Sequence, residues 1–171
     1  MQSEALKLSS ARESFNKGIV STRGFNDMGE DGFVTARRKA RTVALQVLYE
    51  VDSVDHPWDQ VSSRYLKGER LPKEAVSFAR DLVEGVLADT QRIDGIISEF
   101  APSWPVSQLS VVDRNLLRLA IYELTIEMTS PPRVVISETV KLAKLFGSDS
   151  SFKFINGVLG SVVEAEKLST W

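Results

Sequence analysis

The sequence predicts an all-α fold, a compact bundle of about seven helices, and three observations support this. Apolar residues recur at three- and four-residue spacing from residue 35 onward, which is the helical period. No segment shows the strand alternation bounded by hairpin turns that a β-sheet needs. All six prolines lie between the periodic segments.

The composition limits the classes of protein that the chain can belong to. Its 171 residues, 43 % hydrophobic and 26 % charged, are typical of a globular protein with a sizeable core. The net charge is −2, so any affinity for nucleic acid must come from a local patch. There is no cysteine, which excludes disulfides and thiolate metal sites. No apolar run approaches the roughly 20 residues that cross a bilayer, so we expect a cytoplasmic protein without membrane contact.

Residues 1–33 differ from the rest of the chain. They contain four of the ten glycines, and their apolar residues follow no sustained period. We therefore predict a mobile N-terminal tail over 1–33, in which Met28 is a candidate internal start. A helical domain over 34–168 and a short C-terminal end over 169–171 follow.

The first predicted helix carries an unusual set of charges. Thr35 suits its N-cap, and its apolar face comprises Ala40, Ala44, Val47, Leu48 and Val51. This start would place four cations in the first turns: Arg37, Arg38, Lys39 and Arg41. Because the helix dipole makes cations unfavourable there, a bound anion would compensate for them.

The middle of the chain predicts further helices with proline or glycine boundaries. The second helix lies between Pro57 and Gly68. A long helical segment then runs from Pro72 to Phe100, with a bend expected near Asp89–Thr90.

The last third predicts one central helix and two helices after it. Ser110 and Asp113 form a variant of the capping box, and the apolar residues behind them cover most sides of the helix. After Ser130-Pro-Pro132, the next helix is expected to close at a left-handed Gly147 and to turn inward Ile136, Val140, Ala143 and Phe146. The last helix has an apolar face made of Phe152, Ile155, Val158, Leu159 and Val162.

The sequence contains no recognisable catalytic centre. His56, the single histidine, lies in a predicted loop without an evident partner. Metal-ligand spacing, phosphate-binding glycine loops and a nucleophile elbow are all missing. For Glu123 and Glu138, partnership with Arg114, Arg118 or backbone groups is the expected role. We predict a protein that is not an enzyme and needs no cofactor.

The basic cluster is a candidate nucleic-acid site. At about 100° per residue, Arg38, Arg41, Leu45 and Tyr49 fall along one stripe. Arginine matches the geometry of phosphate, and an aromatic ring can stack on an unpaired base. The alternative is a solvated first turn whose long side chains lie along apolar surface.

Phe154 is a second candidate on the last helix. It projects about 100° away from the core direction defined by Ile155 and is preceded by Lys153. It would serve either as a stacking platform or as a packing residue against a helix that Gly157 lets approach closely.

Four segments in order carry a family resemblance. They are ARRKARTVALQVLYEVD from residue 36, DRNLLRLAIYEL from 113, VVISETVKLAKLFG from 134 and FKFINGVLG from 152. Together they resemble the bacterial NusB transcription antitermination factors over roughly residues 34–168. The resemblance implies a bundle of two packed subdomains of three to four helices each.

The resemblance also implies a function and the residues that perform it. It implies binding of single-stranded boxA RNA in ribosomal RNA leaders, together with a small-subunit ribosomal protein acting as NusE, within the RNA polymerase elongation complex. Asp113 matches an acidic position near the interface with the ribosomal protein. The residues that match RNA-contacting positions are Arg37, Arg38, Lys39, Arg41, Tyr49, Lys153 and Phe154.

Two other functions remain open at this point. One is an RNA-binding module like the one that precedes the catalytic domain of ribosomal-RNA cytosine methyltransferases, although these 171 residues show no Rossmann-like half and no cysteine. The other is a helical interaction module that binds only protein. A homodimer of the free protein is compatible with these two functions and with the antitermination function implied by the resemblance.

Overall fold

The computed structural model describes residues 30–168 and confirms the all-α prediction. Within this range there are seven α-helices and no strand. They are α1 (Glu30–Val54), α2 (Trp58–Lys67), α3 (Lys73–Ala88), α4 (Thr90–Phe100), α5 (Val111–Tyr122), α6 (Pro132–Phe146) and α7 (Ser151–Ala165). The bend predicted at Asp89–Thr90 is the boundary between α3 and α4.

Helix α1 begins earlier than the sequence suggested. It starts at Glu30, so Thr35 lies inside the helix and is not its N-cap. Gly32 does not stop the helix, since one glycine costs it only about 1 kcal/mol relative to alanine. Because the dipole acts mainly within the first turn, the cations from Arg37 onward are not disfavoured in the way we expected. Residues 1–29, with most of the predicted tail and Met28, and residues 169–171 lie outside the described residues.

The chain divides into two compact units between Ala79 and Arg80, within α3. We call the described parts the N-terminal unit (30–79) and the C-terminal unit (80–168). In the N-terminal unit α1 packs against α2. The core side chains of this pair are Ala40, Val43, Ala44, Leu45, Val47, Leu48 and Val61.

Helix α5 is the centre of the C-terminal unit, as its apolar residues predicted. It packs against α4, α6 and α7, and α6 also packs against α7. The Ser110 cap is confirmed, since the backbone N–H of Asp113 donates to Ser110 Oγ at 3.0 Å. Six of the seven residues from position 115 to 121 of α5 are buried: Asn115, Leu116, Leu117, Leu119, Ala120 and Ile121.

The predicted inward face of α6 was wrong in most of its residues. Only Ala143 of that set is buried, and the true face comprises Val135, Glu138, Thr139, Leu142 and Ala143. Two polar residues can occupy it because both have partners. Thr139 Oγ1 donates to the carbonyl of Val135 at 2.7 Å, and Lys141 Nζ donates to Glu138 Oε1 at 2.9 Å. The prediction counted only apolar residues, so it selected a side of α6 next to the one that is actually buried.

Gly147 ends α6, but not in the left-handed conformation that we predicted. Its φ of −88° and ψ of −175° are open to other residues. The site instead lacks space, since a Cβ there would lie 2.5 Å from Ser151 Cβ and 2.7 Å from the carbonyl oxygen of Ala143. Glycine is needed here for the close approach of α6 and α7.

The sequence did not predict the chain path after α5. A π-helical segment, Glu123–Glu127, continues α5, and the N–H of Met128 donates to the carbonyl of Glu123 at 2.9 Å. Met128 adopts a left-handed conformation with φ of 53° and closes the segment. No local sequence signal distinguishes this wider turn from a normal α-helical end.

None of the helices in residues 30–168 combines the length and the apolar character needed to span a bilayer.

A buried carboxylate joins α1 to α2. Glu50 Oε1 lies 2.8 Å from His56 Nδ1 and accepts from Arg64 Nη2, and Glu50 Oε2 accepts from the Tyr65 hydroxyl at 3.2 Å. Burial alone would raise the pKa of Glu50. The hydrogen bonds from His56, Arg64 and Tyr65 and the charge of Arg64 outweigh it and lower that pKa below its ordinary value of 4.5. His56 is thus a loop residue, as expected, but it has a partner.

The close contact between Gly85 and Tyr122 generates the first prediction. A Cβ at Gly85 would lie under 3.0 Å from the end of the Tyr122 ring, which real Cβ atoms essentially never do. We expect Gly85→Ala to lower the free energy of unfolding by roughly 1–2 kcal/mol, because displacement of the ring outweighs the gain in helix propensity.

The matched control for Gly85→Ala is Gly95→Ala in α4, where an added Cβ meets nothing within 4 Å. It should raise the free energy of unfolding by about 0.5–1 kcal/mol. Chemical denaturation of both variants measures the difference. Equal stabilisation by the two alanines would contradict the packing argument, and Tyr122→Leu should relieve the cost of Gly85→Ala.

The Glu50 cluster generates a prediction about pH. A carboxyl whose pKa is lowered by folding stabilises the protein above its unfolded pKa, and this contribution is lost as pH falls through the folded value. Glu50→Gln should therefore lower the free energy of unfolding at pH 7 by about 1–3 kcal/mol. The difference from the unsubstituted protein should shrink as pH falls below 4.5.

Urea denaturation across pH 3–7 would measure this effect. Glu99→Gln, at an exposed position of α4, is the control and should change stability little at any pH. A destabilisation by Glu50→Gln that stays constant across the range would show that packing, not the charge of Glu50, is responsible.

Candidate nucleic-acid interface

Two arginines of α1 contact one aromatic ring. Arg37 and Arg41, one helical turn apart, have their guanidinium carbons 4.3 Å and 5.3 Å from the centroid of the Phe78 ring. Phe78 is buried, with 6 % of its surface exposed. A cation over an aromatic face is attracted by the electron density of the ring. The contact therefore holds both guanidinium groups at one edge of the N-terminal unit's core.

The surface stripe predicted along α1 is not formed. Arg41 is only 3 % exposed and Leu45 is fully buried, because this side of α1 faces the core. Arg38 and Tyr49, at the two ends of the predicted stripe, are half-buried. The rise of 1.5 Å per residue separates their positions by about 16 Å along the helix axis. Lys39 is also half-buried.

In the C-terminal unit, Lys153 and Phe154 follow each other at the start of α7. Lys153 is exposed and Phe154 is half-buried, whereas Ile155 is completely buried. The alternative role for Phe154 required a helix close to Gly157. A Cβ built at Gly157 meets nothing within 4 Å, so no close packing occurs at that glycine. Phe154 thus retains accessible surface beside a lysine.

Asp113 lies in the first turn of α5 and is half-buried. Its Oδ1 atom is buried and has no hydrogen-bond partner among the described residues. Leaving a carboxylate oxygen unpaired costs free energy, so such an atom in a native structure needs an explanation. A donor from a binding partner would provide one.

The predicted site residues are distributed over both units. The N-terminal unit contains Tyr49 and the four cations of α1, and the C-terminal unit contains Asp113, Lys153 and Phe154. Phe78, which holds Arg37 and Arg41, was not among the predicted site residues. No sequence signal identifies it, since the contact joins two helices that are far apart in the chain.

The predicted site residues carry charged and aromatic groups. Among residues 30–168, no group of three or more histidine, aspartate or glutamate side chains could hold a metal ion. The functional groups that the structure assembles are guanidinium, ammonium and aromatic groups, which recognise phosphate and unpaired bases.

Comparison with known proteins identifies the family. The model of the NusB family matches residues 38–164. The transcription antitermination protein NusB of Roseiflexus sp. (strain RS-1) is 50 % identical over 129 residues, which cover 74 % of this chain and 91 % of that protein.

Two solved structures share the fold. NusB of T. maritima superposes with a TM-score of 0.70 at 35 % identity, covering 75 % of this chain and 90 % of that one. A chain in a crystal structure of antitermination factors NusB and NusE in complex with dsRNA gives a TM-score of 0.71 at 29 % identity. The superposition covers 77 % of the present chain and 98 % of the chain in that complex. The protein described here therefore belongs to the NusB family of transcription antitermination factors, and it is not an enzyme.

Proposed function

We propose that this protein binds boxA in ribosomal RNA leader transcripts together with the small-subunit ribosomal protein that acts as NusE. The complex would then join the RNA polymerase elongation complex and suppress premature termination. The observation that carries the proposal is the arginine cluster of α1, in which Phe78 holds Arg37 and Arg41. The likeness to a NusB chain crystallised with NusE and dsRNA supports the same partners.

The proposal assigns separate roles to the side chains. Arg37, Arg38 and Lys39 contact phosphates, because guanidinium and ammonium groups donate hydrogen bonds to phosphate oxygens. Arg41, only 3 % exposed, adds its charge to the cluster from its buried position against Phe78. Tyr49 and Phe154 offer rings to unpaired bases, and Lys153 supplies a further cation. In the proposed complex, Asp113 accepts a hydrogen bond from the ribosomal protein, which satisfies its unpaired Oδ1.

A single basic cluster on a protein of net charge −2 can make few phosphate contacts. Since affinity for nucleic acid grows with the number of such contacts, RNA binding by this protein alone should be weak. Adding the ribosomal protein should tighten binding of a boxA oligonucleotide by about tenfold or more, equivalent to roughly 1.4 kcal/mol.

Fluorescence anisotropy of a labelled boxA oligonucleotide, with and without the ribosomal protein, tests this prediction. Asp113→Asn should reduce the enhancement and leave the weak binding by the protein alone unchanged. A scrambled oligonucleotide is the control for sequence selectivity. Equal affinities with and without the partner would contradict the proposal, and binding of the ribosomal protein without any RNA binding would indicate a module that binds only protein.

Alanine variants of Arg38 and Arg41 should differ in their effect on the free energy of unfolding. Arg38→Ala should weaken RNA binding and reduce the slope of log affinity against log salt by about 0.7, the value for one phosphate contact on a single strand. Arg41→Ala should leave the salt slope nearly unchanged, because Arg41 is only 3 % exposed. It should instead lower the free energy of unfolding by about 1–2 kcal/mol, since a buried cation no longer contacts the Phe78 ring.

Anisotropy at several salt concentrations and thermal unfolding of each variant separate the two effects. Arg92→Ala, at an exposed position of α4, is the matched control for loss of a positive charge. An unchanged salt slope in Arg38→Ala would refute a role for α1 in RNA binding.

A further inference from the structure

Two lysines of the C-terminal unit converge on one aromatic ring. Lys144 lies in the last turn of α6, and its Nζ is 5.1 Å from the centroid of the Phe152 ring. Lys153 lies in the first turn of α7, and its Nζ is 5.8 Å from the same centroid. Both lysines are exposed and Phe152 is half-buried. One ring therefore holds two ammonium groups that belong to different helices.

Neither lysine is neutralised within the described part of the chain. The only side-chain contacts of the two lysines there beyond ordinary packing are those with the Phe152 ring, and no carboxylate of residues 30–168 pairs with either. Lys141, one turn earlier on α6, shows the contrast, because its Nζ donates to Glu138 at 2.9 Å. The Phe152 ring thus has two positive charges beside it that repel each other weakly in water, and a bound anion would offset this repulsion.

The connection between α6 and α7 is held by contacts of its own. At its start, the tight fit around Gly147 leaves no room for a Cβ beside Ser151. The backbone N–H of Ser148 donates to Ser151 Oγ at 2.9 Å, and the hydroxyls of these two serines are 3.0 Å apart. These contacts order the chain between the helices before any ligand binds. Ordering a binding site in advance reduces the entropy lost on binding.

The charge and the position of the pair indicate the chemistry of the ligand. A lysine ammonium group is a compact charge with three hydrogen-bond donors. It can therefore pair with phosphate oxygens without the planar, two-point geometry of an arginine–carboxylate pair. Lys153 directly precedes Phe154, which the proposed function assigns to an RNA base. We propose that Lys144 and Lys153 contact consecutive stretches of the RNA phosphate backbone and that Phe152 is a positioning residue for both. This inference rests on the proposed function and adds Lys144 and Phe152 to its RNA site.

The test is the salt dependence of boxA RNA binding, measured by anisotropy with the full-length protein and the ribosomal protein present. Lys144→Ala should reduce the salt slope by about 0.7, which corresponds to roughly fivefold weaker binding at 0.1 M salt if affinities converge at 1 M. Lys144→Arg should restore most of the affinity. Lys67→Ala, at an exposed lysine in the last turn of α2, is the matched control and should change neither quantity.

Phe152 is tested by variants that separate its ring from its apolar volume. Phe152→Leu keeps an apolar side chain and removes the aromatic face, and it should weaken RNA binding about two- to fivefold, the equivalent of a weak cation–π contact. Phe152→Tyr keeps the face and should bind normally. A purely structural role would instead lower the thermal midpoint of Phe152→Leu and leave its RNA affinity unchanged.

Phe154→Ala and Arg38→Ala distinguish failure of this inference from failure of the proposed function. If those two variants weaken RNA binding while Lys144→Ala behaves like Lys67→Ala, the Lys144 contact is refuted and the proposed function stands. If the unsubstituted protein does not bind the RNA even with the ribosomal protein, both are refuted. Should Lys144→Ala lower the thermal midpoint, Lys144→Gln, which keeps the aliphatic stem, must show the same loss of salt slope.

Discussion

The burial of α5 is the constraint on which the C-terminal unit depends. Its side chains are enclosed by α4, α6 and α7, and Leu116, Leu117 and Ile121 are almost completely buried. Each such side chain contributes about 1.5–3 kcal/mol relative to an exposed one. All three surrounding helices pack against α5, so the core of the C-terminal unit is built around it. Close contacts at Gly147, between α6 and α7, and at Gly85, against the Tyr122 ring, belong to the same unit.

Charged groups inside the protein occur together with specific partners. Glu50 is buried among donors from His56, Arg64 and Tyr65, and buried Glu138 accepts from Lys141. An unpaired buried charge is strongly unfavourable, so removing one partner should cost more than the interaction itself contributes. Glu50 directly follows Tyr49 and ties the end of α1 to α2. Its network therefore also holds the backbone that carries a proposed RNA contact.

Aromatic rings that hold cations occur in both units. Phe78 contacts Arg37 and Arg41, and Phe152 contacts Lys144 and Lys153. In each case two positive groups share one ring. A ring stabilises a cation without neutralising its charge, unlike a carboxylate, which would compete with phosphate. Under the proposed function, this type of contact suits a protein of net charge −2 that presents positive charge locally to RNA.

The sequence by itself determined the helical class, most helix boundaries and the central position of α5, because these depend on local periodicity, prolines and the Ser110 cap. The four ordered motifs also indicated the family, and they supplied the residues of the proposed RNA site. Tertiary structure alone decided which side of α6 is buried, since hydrogen bonds let Glu138 and Thr139 replace apolar residues there. It likewise decided that Arg41 lies against Phe78 and that Lys144 of α6 lies against Phe152 of α7. Each of these two contacts joins residues of different helices, so it depends on how the helices pack and leaves no signal in the local pattern of residues.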